Sequence, residues 1–249
     1  MDGTDIRRPV ALKSRATPAY IPRVRRLYLM RHGETLYLGR GSADGTDLTA
    51  EGRRQAEAAA ALFRTIPLDV VVASPMRRAL GTAGIVVGDH GCPIEPVPDL
   101  REITPGTVDG LAMAEVFARV IEFFSSPSVT WDTPFVGGET FRELHARVMR
   151  FLTALLLRQW QTALVVAHGG VNLALLAGVL GMSEGEIPRI EQDLCCINVV
   201  DFASGGRALT RLVNFSAHDP LKAALREPSA ARLRRVLDER RREEKNPLD

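Results

Sequence analysis

Leu29 Met30 Arg31 His32 Gly33 Glu34 Thr35 and Val165 Val166 Ala167 His168 Gly169 Gly170 share one design: an apolar run that stops at a His followed by Gly. An apolar run of this kind reads as a buried strand, and Gly lets the backbone turn sharply and come close to a ligand. Each His is therefore expected at the carboxyl end of a strand, where open α/β sheets bind their ligands. Two imidazoles facing one pocket is the chemistry this pattern sets up.

A third stretch, Val70 Val71 Val72 Ala73 Ser74 Pro75 Met76 Arg77 Arg78 Ala79, is again an apolar strand, and it ends by delivering guanidinium groups; Arg31 adds another beside His32. Arginine presents a planar fork of donors matched to phosphate oxygens and stays charged at any working pH. An anion site is implied.

Outward from these stretches the pattern alternates strand and helix. The strand Leu27 to Arg31 leads through the Gly-rich loop Gly39 to Asp47 to Thr49, which is suited to cap a helix running to about Arg64. Asp69 to Ser74 is the second strand, followed by a helix to about Val87, and Glu95 to Leu100 reads as extended. Leu111 to Phe124 is an apolar-periodic helix, and the longest helix is expected from Glu139 to Gln159. Strand Ala163 to Ala167 and helix Val171 to Leu180 follow, then Ile197 to Phe202 and Leu209 to Asn214 on either side of the turn Ala203 Ser204 Gly205 Gly206. This alternation argues a single three-layer α/β/α domain with a mainly parallel sheet and a C-terminal antiparallel hairpin. The expected division is a flexible basic tail over residues 1–24, the domain over 25–226 and a charged, salt-bridged helix over 227–249.

The 249 residues suffice for one α/β domain, and the net charge of +2 gives no reason to expect nucleic acid as a partner. No apolar run is long enough to cross a bilayer, and the N-terminus lacks the apolar centre of a signal peptide, so the expected location is the cytoplasm, with no membrane partner. Of three cysteines, Cys195 and Cys196 are adjacent and Cys92 is distant, which suits neither a disulfide framework nor a zinc site. All three are expected as small buried thiols. His90, His145 and His218 lie in no metal spacing and read as surface or capping residues.

Further motifs stand in order between about Leu27 and Val200. After Arg31 His32 Gly33 Glu34 Thr35 come Leu48 Thr49 with Gly52 and Gln55 Ala56, then Ser74 Pro75 with Arg78 Ala79 and Thr82 Ala83. Next are Leu100 Arg101 Glu102 Ile103 with Gly106 and Gly110, then Gly137 Gly138 Glu139 Thr140, and finally His168 Gly169 Gly170. Together these resemble the histidine phosphatase superfamily, the phosphoglycerate mutase-like proteins. The resemblance implies the phosphoglycerate mutase-like fold and a phosphoric monoester hydrolase that forms a phosphohistidine.

On that reading His32 is the nucleophile, with the Gly33 carbonyl orienting its ring, and Arg31 and Arg78 clamp the phosphoryl oxygens. His168 donates a hydrogen bond to the developing charge. Arg77 rivals Arg78, whose place before Ala79 fits the motif. Glu102, brought in by the resemblance alone, is the proton donor and then the base for the hydrolytic water. Glu139 is set down as a helix-start carboxylate outside the catalytic set. The two arginines and His168 supply the positive charge, so neither a metal nor another cofactor is expected. The partner is a small-molecule phosphate ester, and a homodimer is left open.

Many members of the superfamily carry Trp and Asn where Tyr37 and Leu38 stand here, and an aromatic and Glu where Val108 and Asp109 stand. Those departures bear on substrate recognition. A cofactor-dependent phosphoglycerate mutase is the rival reading, disfavoured because only 34 residues lie between Glu102 and Gly137, where the mutases have a longer insertion. A catalytically silent phospho-ligand-binding protein is the other, disfavoured because His32, Glu102 and the arginines are all present.

Overall fold

A computed structural model describes residues 24–35, 46–107, 113–126, 128–185, 187, 189–203 and 207–223. All of the expected tail but Val24, the expected charged helix and the four departures at Tyr37, Leu38, Val108 and Asp109 lie outside those residues.

Six strands form one sheet: β1 Arg25–Arg31, β2 Val70–Ala73, β3 Ile94–Pro96, β4 Thr162–Ala167, β5 Cys196–Phe202 and β6 Ala208–Ser216. Their order across the sheet is β3-β2-β4-β1-β5-β6. The first four of that order run parallel, while β5 is antiparallel to β1 and β6 to β5. The helices are α1 Ala50–Phe63, α2 Arg77–Val87, α3 Met113–Ser125, α4 Phe141–Leu157 and α5 Gly169–Leu180.

Strand alternation sorts the apolar residues into two cores, because successive side chains of a strand point to opposite faces. Leu27, Leu29, Val72 and Val165 pack on one face with Leu144 and Val148 of α4 and Leu175 of α5. Met30, Val71, Leu164 and Val166 pack on the other with Ala56 and Phe63 of α1 and Ala79 and Ala83 of α2. The result is the three-layer architecture, with β1, β2 and β4 covered on both sides. α5 is apolar nearly all round because it lies between the sheet and α4.

Boundaries differ from the expected ones for local reasons. Thr140 caps α4 with a reciprocal Glu143 bond, so that helix starts at Phe141 rather than Glu139. α5 starts at Gly169, since both glycines after His168 take helical geometry and His168 itself is the cap. The extended stretch expected over Glu95–Leu100 is shorter: β3 is an edge strand ending at Pro96, and Pro98–Leu100 turns as a 3₁₀ helix. Proline cannot donate to a sheet ladder, which confines it to such an edge. No helix among the described residues is long and apolar enough to cross a membrane.

The sheet positions the site through register. Arg31 on β1 lies opposite Ala167 on β4, so His32 and His168 each follow directly after neighbouring parallel strands. Ala73 on β2 lies opposite Val166, which brings Ser74 alongside.

Candidate active site

His32 is 1% exposed, and its Nδ1 lies 2.7 Å from the carbonyl oxygen of Gly33. A carbonyl only accepts, so Nδ1 carries the proton, and in a neutral ring Nε2 then holds a lone pair. The Nε–H of Arg78 donates to that Nε2 at 3.2 Å, an independent contact that demands the same tautomer. Burial, with the positive charges of Arg78 and then Arg31, holds the His32 imidazole well below its ordinary pKa, against the opposing bond to Gly33. At neutral pH His32 is an uncharged base whose Nε2 electron pair accepts from the Arg78 guanidinium.

The loop that carries His32 is fixed from two helices. The main-chain N–H of Gly33 donates to Thr82 Oγ1 at 3.0 Å on α2, and that of Glu34 donates to Gln55 Oε1 at 3.0 Å on α1. Thr49 caps α1 by accepting from the Gly52 N–H at 2.9 Å and donates its hydroxyl to Glu34 at 2.8 Å. A Cβ on Gly33 would stand 2.5 Å from the Gly52 carbonyl oxygen, so the loop and the helix start meet backbone to backbone. These contacts give the motif residues Thr49, Gly52, Gln55 and Thr82 a shared task, holding the loop that carries His32.

Arg78, 4% exposed, enters from the first turn of α2. Its neighbour Arg77 turns outward to Asp47 with its Nε at 3.0 Å, which separates the two rival arginines. Arg31, the last residue of β1, donates from Nη1 to the main-chain carbonyl of Gln192. Gln192 is held by a buried cluster of amides that the sequence reading missed. Its Oε1 accepts from Asn172 at 3.0 Å and from Asn198 at 2.8 Å, and its Nε2 donates to Asn198 at 3.1 Å. Asn172 is the polar exception on the apolar helix α5, the one signal that pointed to it.

His168 is fully buried, with its ring centroid 5.1 Å from that of His32 and the two planes 62° apart. Its Nε2 lies 2.8 Å from Ser74 Oγ. Burial first, then the proximity of His32 and of Arg78, Arg31 and Arg147, lowers its pKa well below the usual histidine value.

The Glu102 side chain meets the first turn of α5, at the second residue after His168. Its Oε1 accepts from the Ile103 N–H at 3.0 Å and its Oε2 from the Gly170 N–H at 3.2 Å, in the first turn of α5. A Cβ on Gly170 would lie 2.5 Å from Glu102 Oε1, whereas one on Gly169 would meet nothing nearer than 3.6 Å. The second glycine of the pair is thus the one the carboxylate requires. Arg147 braces this segment by donating to the carbonyls of Asp99 at 2.6 Å and Glu102 at 3.3 Å and pairing with Glu139 at 2.7 Å. Glu139 also accepts from the Thr104 N–H at 3.1 Å, so its carboxylate is occupied as a support.

His145 is half-buried against Trp131, ring centroids 4.8 Å apart, a packing residue rather than the expected surface one. Cys195 and Cys196 are buried, with burial pushing the Cys196 thiol up to about 12, whereas Cys92 is only partly buried. Among the described residues no three His, Cys, Asp or Glu side chains cluster as metal ligands.

Two histidines kept neutral by burial make stability depend on pH. Below about pH 6.5 the unfolded chain takes up protons on His32 and His168 that the folded chain does not. Their contribution is therefore complete above pH 6.5 and declines as the pH falls, by up to about 1.4 kcal/mol per pH unit for each histidine. Urea unfolding at about pH 7 and pH 5.5 should show the lower midpoint at the lower pH, and a His32→Gln, His168→Gln chain should lose that part of the decline. An undiminished decline in the double variant would assign it to other groups.

The chain folds as a three-layer α/β/α sheet with two imidazoles and two guanidinium groups at the carboxyl edge, and its structural neighbours are phosphoglycerate mutase-like phosphatases. The family model of the histidine phosphatase superfamily (branch 1) matches residues 27–214, and the chain belongs to that superfamily. With that membership it is a phosphoric monoester hydrolase. It is 32% identical over 184 residues to the adenosylcobalamin/alpha-ribazole phosphatase of Escherichia coli strain K12, a match covering 71% of this chain and 89% of that one. A probable 2-carboxy-D-arabinitol-1-phosphatase of Arabidopsis thaliana is 32% identical over 208 residues; 79% of this chain aligns with 43% of the plant protein. Among solved structures, the mycobacterial glucosyl-3-phosphoglycerate phosphatase in complex with VO3 superposes with a TM-score of 0.66 at 27% identity, covering 76% of this chain and 98% of that one.

Proposed function

We propose that this protein hydrolyses a small phosphorylated metabolite in the cytoplasm through a phosphohistidine on His32, without a metal ion. The observation that carries this reading is the tautomer of His32: Nδ1–H is committed to the Gly33 carbonyl, which leaves Nε2 as a nucleophilic lone pair beside Arg78. In the first step Nε2 bonds to phosphorus, the phosphorus–oxygen ester bond breaks, and Glu102 transfers a proton to the departing oxygen. In the second step water attacks the phosphoramidate, Glu102 takes the water's proton, and inorganic phosphate leaves a neutral His32. Arg31, Arg78 and His168 stabilise the charge on the phosphoryl oxygens, the role that a metal ion has elsewhere.

Phosphate release from a panel of soluble esters tests this. The panel includes alpha-ribazole phosphate and glucosyl-3-phosphoglycerate, on which the related phosphatases act by name, and 3-phosphoglycerate assayed in parallel for isomerisation. Release of phosphate from one ester supports hydrolysis; isomerisation without release would make the protein a mutase, and binding without either would make it a silent receptor. Activity should survive EDTA and be inhibited by vanadate, which takes up the five-coordinate geometry of the transferring group. Loss on chelation with recovery on adding Mg²⁺ or Zn²⁺ would overturn the metal-free mechanism.

A further inference from the structure

Ser74, fully buried at the end of β2, is not among the residues to which the proposed mechanism gives a role. Its Oγ lies 2.8 Å from His168 Nε2, and its other contact is the Met76 main-chain N–H at 3.4 Å. The count of matched groups decides the direction. The serine oxygen accepts from the Met76 N–H with one of its lone pairs, and its hydroxyl hydrogen has one acceptor among the described residues, Nε2 of His168. With the serine donating, only the Nδ1–H of His168 lacks a partner there; the reverse arrangement, with Nε2–H donating to the serine, leaves both the hydroxyl hydrogen and the Nδ1 lone pair unmatched.

A neutral imidazole carries one proton, so a serine that donates to Nε2 places the His168 proton on Nδ1. That Nδ1 is buried and has no hydrogen-bond partner among the described residues. A phosphoryl oxygen is an acceptor, and an N–H matches it where a bare lone pair would repel it. Burial keeps His168 uncharged, so the ring has one hydrogen to offer and its location matters.

We propose that Ser74 is a positioning residue that locks His168 in the Nδ1-protonated tautomer, making Nδ1–H the donor to the phosphoryl group. The donor half rests on the reading of His168 under Proposed function; the tautomer half stands on the resting protein. The two histidines then share a tautomer and present opposite edges: His32 offers the Nε2 lone pair to phosphorus, and His168 offers the Nδ1 hydrogen to oxygen.

The first measurement is a ring-nitrogen correlation spectrum of the ¹⁵N-labelled full chain at neutral pH, with the His168 signals assigned by their absence in His168→Gln. Nδ1 should be protonated and Nε2 an acceptor, and Ser74→Ala should shift Nε2 away from its hydrogen-bonded position. A proton on Nε2 in the unsubstituted protein overturns the proposal, whether or not any ester proves to be a substrate.

The second is kinetic. The amide nitrogen of Asn stands near where Nδ1 does and that of Gln near where Nε2 does, so His168→Asn should keep more kcat than His168→Gln; the opposite order counts against Nδ1 as donor. Ser74→Ala should lower kcat by about 10- to 100-fold. In the His168→Asn background, which has no tautomer to lock, it should cost less than about twofold. Equal losses in both backgrounds would mean that Ser74 acts through packing. If Ser74→Ala does not fold, the wild-type spectrum and the Asn and Gln pair decide the matter.

Discussion

His32→Ala is expected to fold and to release phosphate at least about 10⁴-fold more slowly than the unsubstituted protein, with no phosphoenzyme. The loss is large because the imidazole forms the new bond itself, and neither Arg31 nor Arg78 has a lone pair to replace it. Folding is expected to persist because the loop keeps its ties to Thr82 and Gln55, which are made by main-chain N–H groups of Gly33 and Glu34. His168→Ala removes a donor rather than the nucleophile and should retain phosphoenzyme formation at a rate lowered by about 10² to 10³. Rapid quenching in base should trap a ³²P-labelled adduct in the unsubstituted protein that is lost in acid, as a phosphoramidate is. An acid-stable adduct, or wild-type turnover in His32→Ala, would move the nucleophile elsewhere.

The second large effect concerns Glu102 and depends on the leaving group. Glu102→Gln is expected to slow hydrolysis of an alkyl phosphate by about 10² to 10⁴ and of 4-nitrophenyl phosphate far less, since nitrophenolate departs without a proton and alkoxide does not. The structure explains why the comparison, rather than the size of either loss, carries the information. Both Glu102 oxygens accept from main-chain N–H groups, of Ile103 and of Gly170. A glutamine amide has one oxygen, so its NH₂ must face one of those donors, and some displacement follows for every substrate. Proton donation adds a term that grows with leaving-group basicity across a series of aryl and alkyl esters measured as kcat/KM. A uniform loss across the series would leave Glu102 as a support for the pocket.

What the sequence made legible follows from distance along the chain. The strands are marked by apolar runs, Leu27–Met30 in β1, Val70–Ala73 in β2 and Ala163–Ala167 in β4, with punctuation at their ends, so the sheet and the His and Arg residues it carries could be read residue by residue. Thr49 was readable as a cap because an N-cap bonds within three residues of itself. Glu102 had no such local mark; its carboxylate is positioned by Gly170, 68 residues away, and only the resemblance to a family pointed to it. The contacts of Ser74 with His168, Gln192 with Asn172 and Gln192 with Asn198 span 94, 20 and 6 residues, so although Asn172 stands out on its apolar helix, nothing nearby in the chain names its partner. The shortening of β3 was available from Pro96 and Pro98, but that it lies at the sheet edge, where a proline is tolerated, is a property of strand order rather than of local pattern.

The register that sets Arg31 opposite Ala167 also governs when activity returns after denaturation. His32 and His168 are separated by 136 positions of chain and meet only after β4 has inserted between β1 and β2. Closing so long a loop carries its entropic cost before any contact repays it, and pairings of this range form late. No early hairpin or isolated helix holds both imidazoles, so a half-folded chain is silent rather than weakly active. Recovered turnover on refolding should rise together with burial of Trp160, which packs in the same core as β1 and β4, and a substrate that reports phosphate release becomes a clock for the completion of the central sheet.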